Sequence, residues 1–276
     1  MIKINDTKKT GKKVNNKDKI VRAYDLIGNI ALVRFPFNYK LSDKKKHALA
    51  LIKSNTSIKT VLEKVGKFKG RLRKIETRFL AGEKTKEVLY RENNCTFRFN
   101  VDTTYFSPRL SNERKEISSL IKNNEEVLVM FAGVAPYSII IAKNSKCKKV
   151  VSVEINKEAS KYAKLNVGLN NLKNRVEVIQ RDIKKFAKET KEKFDVIVMP
   201  RPQLKETFLK QAFKVSKKGT RVYYYDFCKF EDKEKIVEKI REEAKKSKKK
   251  IRIIKIKSAG EIAPRKIRIR VDFVVL

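Results

Sequence analysis

The sequence reads as an α/β chain: a Rossmann-like, mostly parallel sheet with a terminal antiparallel hairpin, preceded by a smaller α+β domain. From residue 126 onward, short β-rich runs alternate with helical segments, the rhythm of a parallel sheet covered on both faces. At the end, IRIIKIKS (251–258) and RKIRIRVDFVVL (265–276) break that rhythm with two strands joined through Gly260 and Pro264. Before residue 107 the texture is different, with alternating strand patterns and one early helix.

Taken in order, residues 1–18 are polar and lysine-rich and are expected to form a basic arm. Residues 19–106 are expected to be the smaller domain. Its strands are IALVRF (30–35), RLRKIETRFL (71–80), KEVLYRE (86–92) and CTFRFNV (95–101). The helix LSDKKKHALALIKS (41–54) has apolar positions at helical spacing and Ser42 or Asp43 as a cap. His47 in that helix reads as a structural side chain. Residues 107–276 are the strand–helix domain, with strands EVLVMF (126–131), KVVSVE (149–154), VEVI (176–179), FDVIVM (194–199) and TRVYYYDF (220–227). The clearest helices between them are 157–170 and 203–216. A parallel sheet ending in an antiparallel hairpin is the arrangement of the class I methyltransferase fold.

A formal charge of +38 on 276 residues exceeds what solubility requires and points to a polyanionic partner, nucleic acid being the obvious one. Lysine inflation from an AT-rich genome or from life at high temperature would also raise the count. Cys95, Cys147 and Cys228 are widely spaced, with no Cys-x-x-Cys pair, so neither a zinc site nor a disulfide framework follows. No run reaches the roughly 18 apolar residues of a membrane span. The expectation is a cytoplasmic protein with no membrane or metal partner.

In an open α/β sheet, ligands sit beyond the carboxyl ends of the strands where the strand order reverses. Beyond the first strand of this domain lies Phe131-Ala132-Gly133-Val134-Ala135-Pro136, a small-residue turn leading into a helix N-terminus with free N–H groups. Beyond the second is Glu154, 21 residues after Gly133, where an acid can accept from a ribose diol. Beyond the third is Asp182, placed to accept from an adenine amino group. Beyond the fourth is Met199-Pro200-Arg201-Pro202, unable to continue as strand. Each feature alone is ordinary; their joint order points to an adenosyl ligand, which has no phosphates and so needs fewer glycines.

The stretches VMFAGVAPYSIIIAK, VVSVEINKEASKYAKLNVGLNNL and RVEVIQRDI resemble the S-adenosylmethionine site of the archaeal and eukaryotic tRNA guanine-37 N1-methyltransferases and their wyosine-pathway relatives. DLIGNIALVRFP, IKTVLEKVGKFKGRLRKIETRFLAGE and VDTTYFSPRLSNERKEI extend the resemblance over roughly residues 20–276. The family's small N-terminal tRNA-elbow domain is expected to be missing or reduced to the basic arm. The resemblance implies that Phe131, Ala132, Gly133, Val134, Pro136, Glu154, Asp182 and Pro200 bind S-adenosylmethionine. It makes Glu113 the general base for the guanine N1 proton, Arg73 the cation at the base carbonyl and Tyr105 a neighbour of the reacting pair. Arg109, Arg114, Arg201 and Pro202 are expected on the substrate side. Tyr105, Phe106 and Tyr137 could stack on an extruded base, whereas Tyr223, Tyr224 and Tyr225 read as strand core.

Three departures stand out. Val129 replaces the acid that opens the family's glycine-rich motif, Ala135 replaces its second glycine, and Pro200-Arg201-Pro202 replaces an asparagine motif. Arg201 in particular could face an enlarged tricyclic base. The activity implied is N1-methylation of guanosine 37 in the tRNA anticodon region by a monomer, with C7-methylation of 4-demethylwyosine also open. An aminocarboxypropyl transfer to the same nucleotide and a non-catalytic RNA-binding role are the alternatives.

Overall fold

The computed structural model describes residues 24–66, 70 and 72–276; the arm expected over 1–18 lies outside them. β1 (Tyr24–Ile27) and β2 (Ile30–Val33) form a hairpin turned at Gly28-Asn29. Gly28 has φ +57°, and a Cβ there would lie 2.3 Å from the Leu89 carbonyl oxygen. Only glycine allows both that angle and that approach. The helix α1 (Leu41–Ser54) spans the expected residues and crosses to β3 (Thr60–Lys64), which pairs parallel with β2. β4 (Thr77–Gly82) returns antiparallel to β3. Of the strand expected over 71–80, residue 71 lies outside the described residues and the ladder begins at Thr77; Arg73 takes φ +53°, a left-handed angle outside the extended region.

β5 (Glu87–Glu92) and β6 (Cys95–Asn100) form a separate hairpin turned by Asn93 and Asn94. Both asparagines have positive φ, which a two-residue hairpin turn demands. The strand–helix domain then runs α2 (Ser111–Ser119), β7 (Glu126–Met130), α3 (Pro136–Asn144), β8 (Lys149–Glu154), α4 (Lys157–Leu169), β9 (Val176–Gln180), α5 (Ile183–Glu189) and β10 (Phe194–Met199). It closes with α6 (Leu209–Lys214), β11 (Ser216–Lys229), α7 (Lys233–Lys246), β12 (Ile251–Ala263) and β13 (Lys266–Val275). Among the described residues these strands make one sheet in the order β12-β13-β11-β10-β7-β8-β9. β7 to β11 are mutually parallel, whereas β13 lies antiparallel between β11 and β12. The terminal hairpin is therefore inserted into the sheet edge as the class I methyltransferase arrangement requires.

Strand residues alternate between two cores, as a side-chain period of two dictates. Val127, Val129, Val150, Val196 and Val198 pack with α2, α3, α4 and the β5–β6 hairpin. Leu128, Met130, Val151, Ile197 and Met199 pack with α5, α6 and α7. The first core continues through Val88, Phe97 and Phe99 to Ile30, Leu32 and Leu62 of the small domain. Polar contacts fix the same junction: the Thr96 and Arg98 amides donate to the Asn170 and Asn166 side chains at 2.9 and 2.7 Å. No described helix is long and apolar enough to cross a membrane.

The helix expected over 203–216 is shortened to α6. The Arg201 guanidinium donates to the carbonyls of Leu204 (2.5 Å) and Glu206 (2.6 Å), acceptors that a continuous helix would use for its own ladder. Phe208 then takes φ +59°, so the chain can enter α6 only after that residue.

Candidate active site

The strand order reverses between β7 and β10, and the chain segments leaving β7, β8 and β10 meet there in one cleft with Tyr225 and Phe227 of β11. The β7–α3 connection carries three left-handed residues within five: Phe131 (φ +57°), Gly133 (φ +58°) and Ala135 (φ +65°). For a residue with a Cβ this costs about 1–2 kcal/mol, and surrounding bonds must hold it. The Ala132 amide donates to the Val153 carbonyl at 3.0 Å, the Ala135 amide to the Ala132 carbonyl at 2.9 Å, and Asn166 Nδ2 to the Val134 carbonyl at 3.1 Å. Pro136 opens α3, where a missing N–H costs nothing.

Glu154, the last residue of β8, is the cleft's buried acid. Its Oε2 accepts from the Gly133 amide at 2.8 Å and its Oε1 from the Asn156 amide at 2.7 Å. Burial pushes the carboxyl above the ordinary glutamate value, and these backbone donors pull the other way. Each carboxylate oxygen keeps a second lone pair, so the group can take two hydroxyl donors side by side.

The opposite wall comes from the smaller domain and its junction. Leu72, Arg73 and Tyr105 line the cleft together with Phe131, Gly133, Tyr137, Glu154, Pro200, Arg201 and Pro202. The Arg73 guanidinium lies 4.4 Å from the centre of the Tyr105 ring, a cation–π geometry. Asn156 ties this wall to the sheet: Nδ2 donates to the carbonyls of Leu72 (3.2 Å) and Thr103 (2.9 Å). Its Oδ1 caps α4 through the amides of Glu158 and Ala159. A smaller hollow beside the cleft, lined by Asp182, Ile183, Leu204 and Phe208, shares Phe131, Ile155 and Pro202 with it.

The expected site residues divide accordingly. Arg73, Tyr105, Phe131, Gly133, Glu154, Pro200, Arg201 and Pro202 share the cleft, and Asp182 borders the hollow while capping α5. Ala132 and Val134 are buried supports of the loop rather than parts of its lining. Val129 lies in the sheet core, and Ala135 occupies the left-handed position at which a glycine would be unstrained.

Glu113 sits in the first turn of α2, 7% exposed and outside the cleft lining. It accepts from Arg270 Nη1 (2.8 Å), Lys257 Nζ (2.7 Å) and the Tyr225 hydroxyl (3.0 Å). Arg114, expected on the substrate side, is instead 1% exposed. It makes a two-pronged pair with Glu92 at 2.5 and 2.7 Å and donates to the Ser107 carbonyl. A guanidinium this deep needs that carboxylate to offset its lost hydration. Arg201 lines the cleft, but its guanidinium is turned inward onto Asp226 and the two loop carbonyls. Arg109 lies on the surface, its side chain 75% exposed and paired with Asp25 at 2.9 Å.

Beyond the apolar Leu72, Leu110, Ile155 and Ala159, the lining residues not expected from the sequence are Asn156 at the start of α4, Tyr225 and Phe227 from β11, and Arg268 from β13. The strand-end rule does not reach Tyr225 and Phe227, because both lie inside β11 rather than beyond its end. Arg268 arrives only through the antiparallel insertion of β13, next to Phe227 in the register.

Residues 88–254 match the model of the TRM5/TYW2 methyltransferase domain, and residues 11–85 match that of the TYW2 N-terminal domain. The tRNA (guanine(37)-N(1))/4-demethylwyosine(37)-methyltransferase Taw22 of Nanoarchaeum equitans is 31% identical, over 92% of this chain and all of that protein. The tRNA (guanine(37)-N(1))-methyltransferase Trm5b of Pyrococcus abyssi is 34% identical, over 91% of this chain and 74% of the relative. Its crystal structure superimposes with a TM-score of 0.81, covering 92% of this chain and 75% of that one. A solved complex of aTrm5 with tRNALeu, 27% identical, gives a TM-score of 0.81 over 93% of this chain and 73% of that one. With the strand order, the acid at the end of β8 and the wall supplied by the preceding domain, these matches place the chain in the TRM5/TYW2 methyltransferase family.

Proposed function

We propose that the chain is an S-adenosylmethionine-dependent tRNA methyltransferase that methylates N1 of guanosine 37. The observation that carries this reading is the shared cleft: Glu154 from the sheet and Arg73 with Tyr105 from the preceding segments line one space. An adenosyl ligand suits the sheet side, where Glu154 offers two acceptors to a diol and the apolar hollow beside Asp182 suits a purine. The bound cofactor supplies an electrophilic methyl group on a sulfonium centre. The protein must orient the base and move one proton, because guanine N1 is protonated at neutral pH. Arg73, stacked on Tyr105, places a cation where the base carbonyl gains charge, and Glu113 is the final proton acceptor. The formal charge of +38 and exposed cations such as Arg109 suit a tRNA phosphate backbone.

C7-methylation of 4-demethylwyosine at the same position is a second reading, favoured by the Pro200–Pro202 wall. With the Arg201 guanidinium turned inward, this wall presents Pro200 and Pro202 to the cleft, an apolar surface suited to a tricyclic base. Mass spectrometry of nucleosides from tRNA incubated with protein and cofactor tests both, with unmodified and 4-demethylwyosine-containing tRNA in parallel. A one-methyl gain on guanosine is expected, with a second gain on the tricyclic base if both activities reside here. An aminocarboxypropyl mass, or no change on either substrate, would refute the proposal.

A further inference from the structure

Glu113 poses a problem of access. Its carboxylate does not line the cleft, and Arg270, Lys257 and Tyr225 occupy it. Of these three described donors, Tyr225 lines the cleft and the two cations do not. Tyr225 is 1% exposed, and its ring lies 6.0 Å from that of Tyr137, also in the cleft wall. A base approaching Glu113 Oε2 would have to displace the Tyr225 hydroxyl, since that oxygen already accepts from both Tyr225 and Arg270.

We infer that Tyr225 relays the proton from the substrate base to Glu113; this rests on the methyl transfer proposed above. The N1–H bond of guanine breaks as its proton passes to the Tyr225 oxygen, while the Tyr225 O–H proton passes to Glu113 Oε2. The electron pair left on N1 forms the new bond to the methyl group, and the thioether of the spent donor leaves with the S–CH3 electrons. Tyr225 ends as it began, and Glu113 becomes a neutral carboxylic acid that later returns its proton to solvent. Two features of the geometry fit this path. The hydroxyl already donates to Glu113 at 3.0 Å, so one of the two proton shifts is aligned in advance. Burial, followed by Tyr137 and Glu113, pushes the hydroxyl well above the usual tyrosine range, so the group rests protonated and does not linger as a tyrosinate.

The test is single-turnover methyl transfer to tRNA by the full chain, comparing wild type, Tyr225→Phe, Glu113→Gln and the double variant. Tyr225→Phe keeps the buried ring and removes only the hydroxyl. It should slow transfer about 100-fold or more, in the range of lost general-base catalysis, while cofactor affinity stays within about threefold. Because the two groups act in series, the double variant should be no more than about threefold slower than Glu113→Gln. Since Glu113→Gln leaves two cations without their anion and could fail to fold, a proton inventory on wild type and Tyr225→Phe provides a second measurement. Two protons in flight are expected for wild type and one for the variant. Tyr225→Phe turnover near the wild-type rate, multiplying losses in the double variant, or one proton in flight in wild type would each overturn the relay. Absence of transfer by the wild type would overturn the proposed function itself.

Discussion

Replacing Asn156 by alanine removes four hydrogen bonds made by one buried side chain. Two of them cap α4 through the amides of Glu158 and Ala159, and losing such a cap costs about 1 kcal/mol. The other two hold the carbonyls of Leu72 and Thr103. Leu72 is 38% exposed, so water can replace its donor. Thr103 is half-buried, and an unsatisfied group in that position costs about 1–3 kcal/mol. The sum is about 2–4 kcal/mol, or roughly 5–15 °C in melting temperature for a chain of this size. Thermal melts of the ligand-free chain read it directly. Asn156→Asp separates the two parts: the carboxylate still caps α4, but it cannot donate to Leu72 and Thr103. It should recover about 1 kcal/mol of the loss while methyl transfer stays impaired, because the segment bearing Arg73 has lost its tie to the sheet. A melting change below about 0.5 kcal/mol for Asn156→Ala would refute the bonding assigned here.

Glu154→Gln should weaken S-adenosylmethionine binding at least tenfold by calorimetry, since hydrogen bonds to a charged acceptor contribute about 1.5–3 kcal/mol. Because the folded-state value of Glu154 is raised, the ligand-free wild type should lose stability relative to this variant as pH rises from the ordinary glutamate value through the folded one, then level off. Glu116 behaves oppositely. Burial alone would raise it, but Lys257 and Arg270 bring it from 4.5 to about 2. Its contribution is therefore full above pH 4.5 and lost as pH falls toward 2, and acid titration of Glu116→Gln should lack that slope. Gly28→Ala should destabilise by about 2 kcal/mol or more in urea melts, since φ +57° costs about 1–2 kcal/mol before the clash with Leu89 is counted. The affinity for tRNA should fall steeply with salt in filter binding, with a log–log slope set by the phosphates neutralised.

The sheet was legible because its central strands are short apolar runs buried on both faces, as in Val150-Val151 and Val196-Ile197-Val198. The terminal hairpin was legible because two strand-like runs, 251–258 and 265–276, follow each other without room for a helix. Glu154 and Gly133 could be found from strand ends alone. What the sequence hides is where long side chains turn. Arg201 and Arg114 read as substrate contacts by residue type, yet each meets a buried carboxylate distant in sequence, Asp226 or Glu92. Glu113 was singled out by resemblance, but its enclosure by Lys257 and Arg270 depends on the β12–β13 hairpin folding back beside α2. Tyr225 sits in a run of three tyrosines, all buried. Strand alternation puts Tyr223 and Tyr225 in the same core, and only the sheet register shows that Tyr225 is the one at the cleft.

In the proposed function, one cleft joins an adenosyl cofactor on the Glu154 side to a base held by Arg73 and Tyr105. Transfer of label from methyl-labelled S-adenosylmethionine to a tRNA transcript, mapped by nuclease digestion and compared with a transcript carrying adenosine at position 37, tests it most directly. One labelled methyl is expected at guanosine 37, none on the adenosine transcript, and loss of label with either Glu154→Gln or Arg73→Ala. Label elsewhere in the tRNA, or full label with Arg73→Ala, would contradict it.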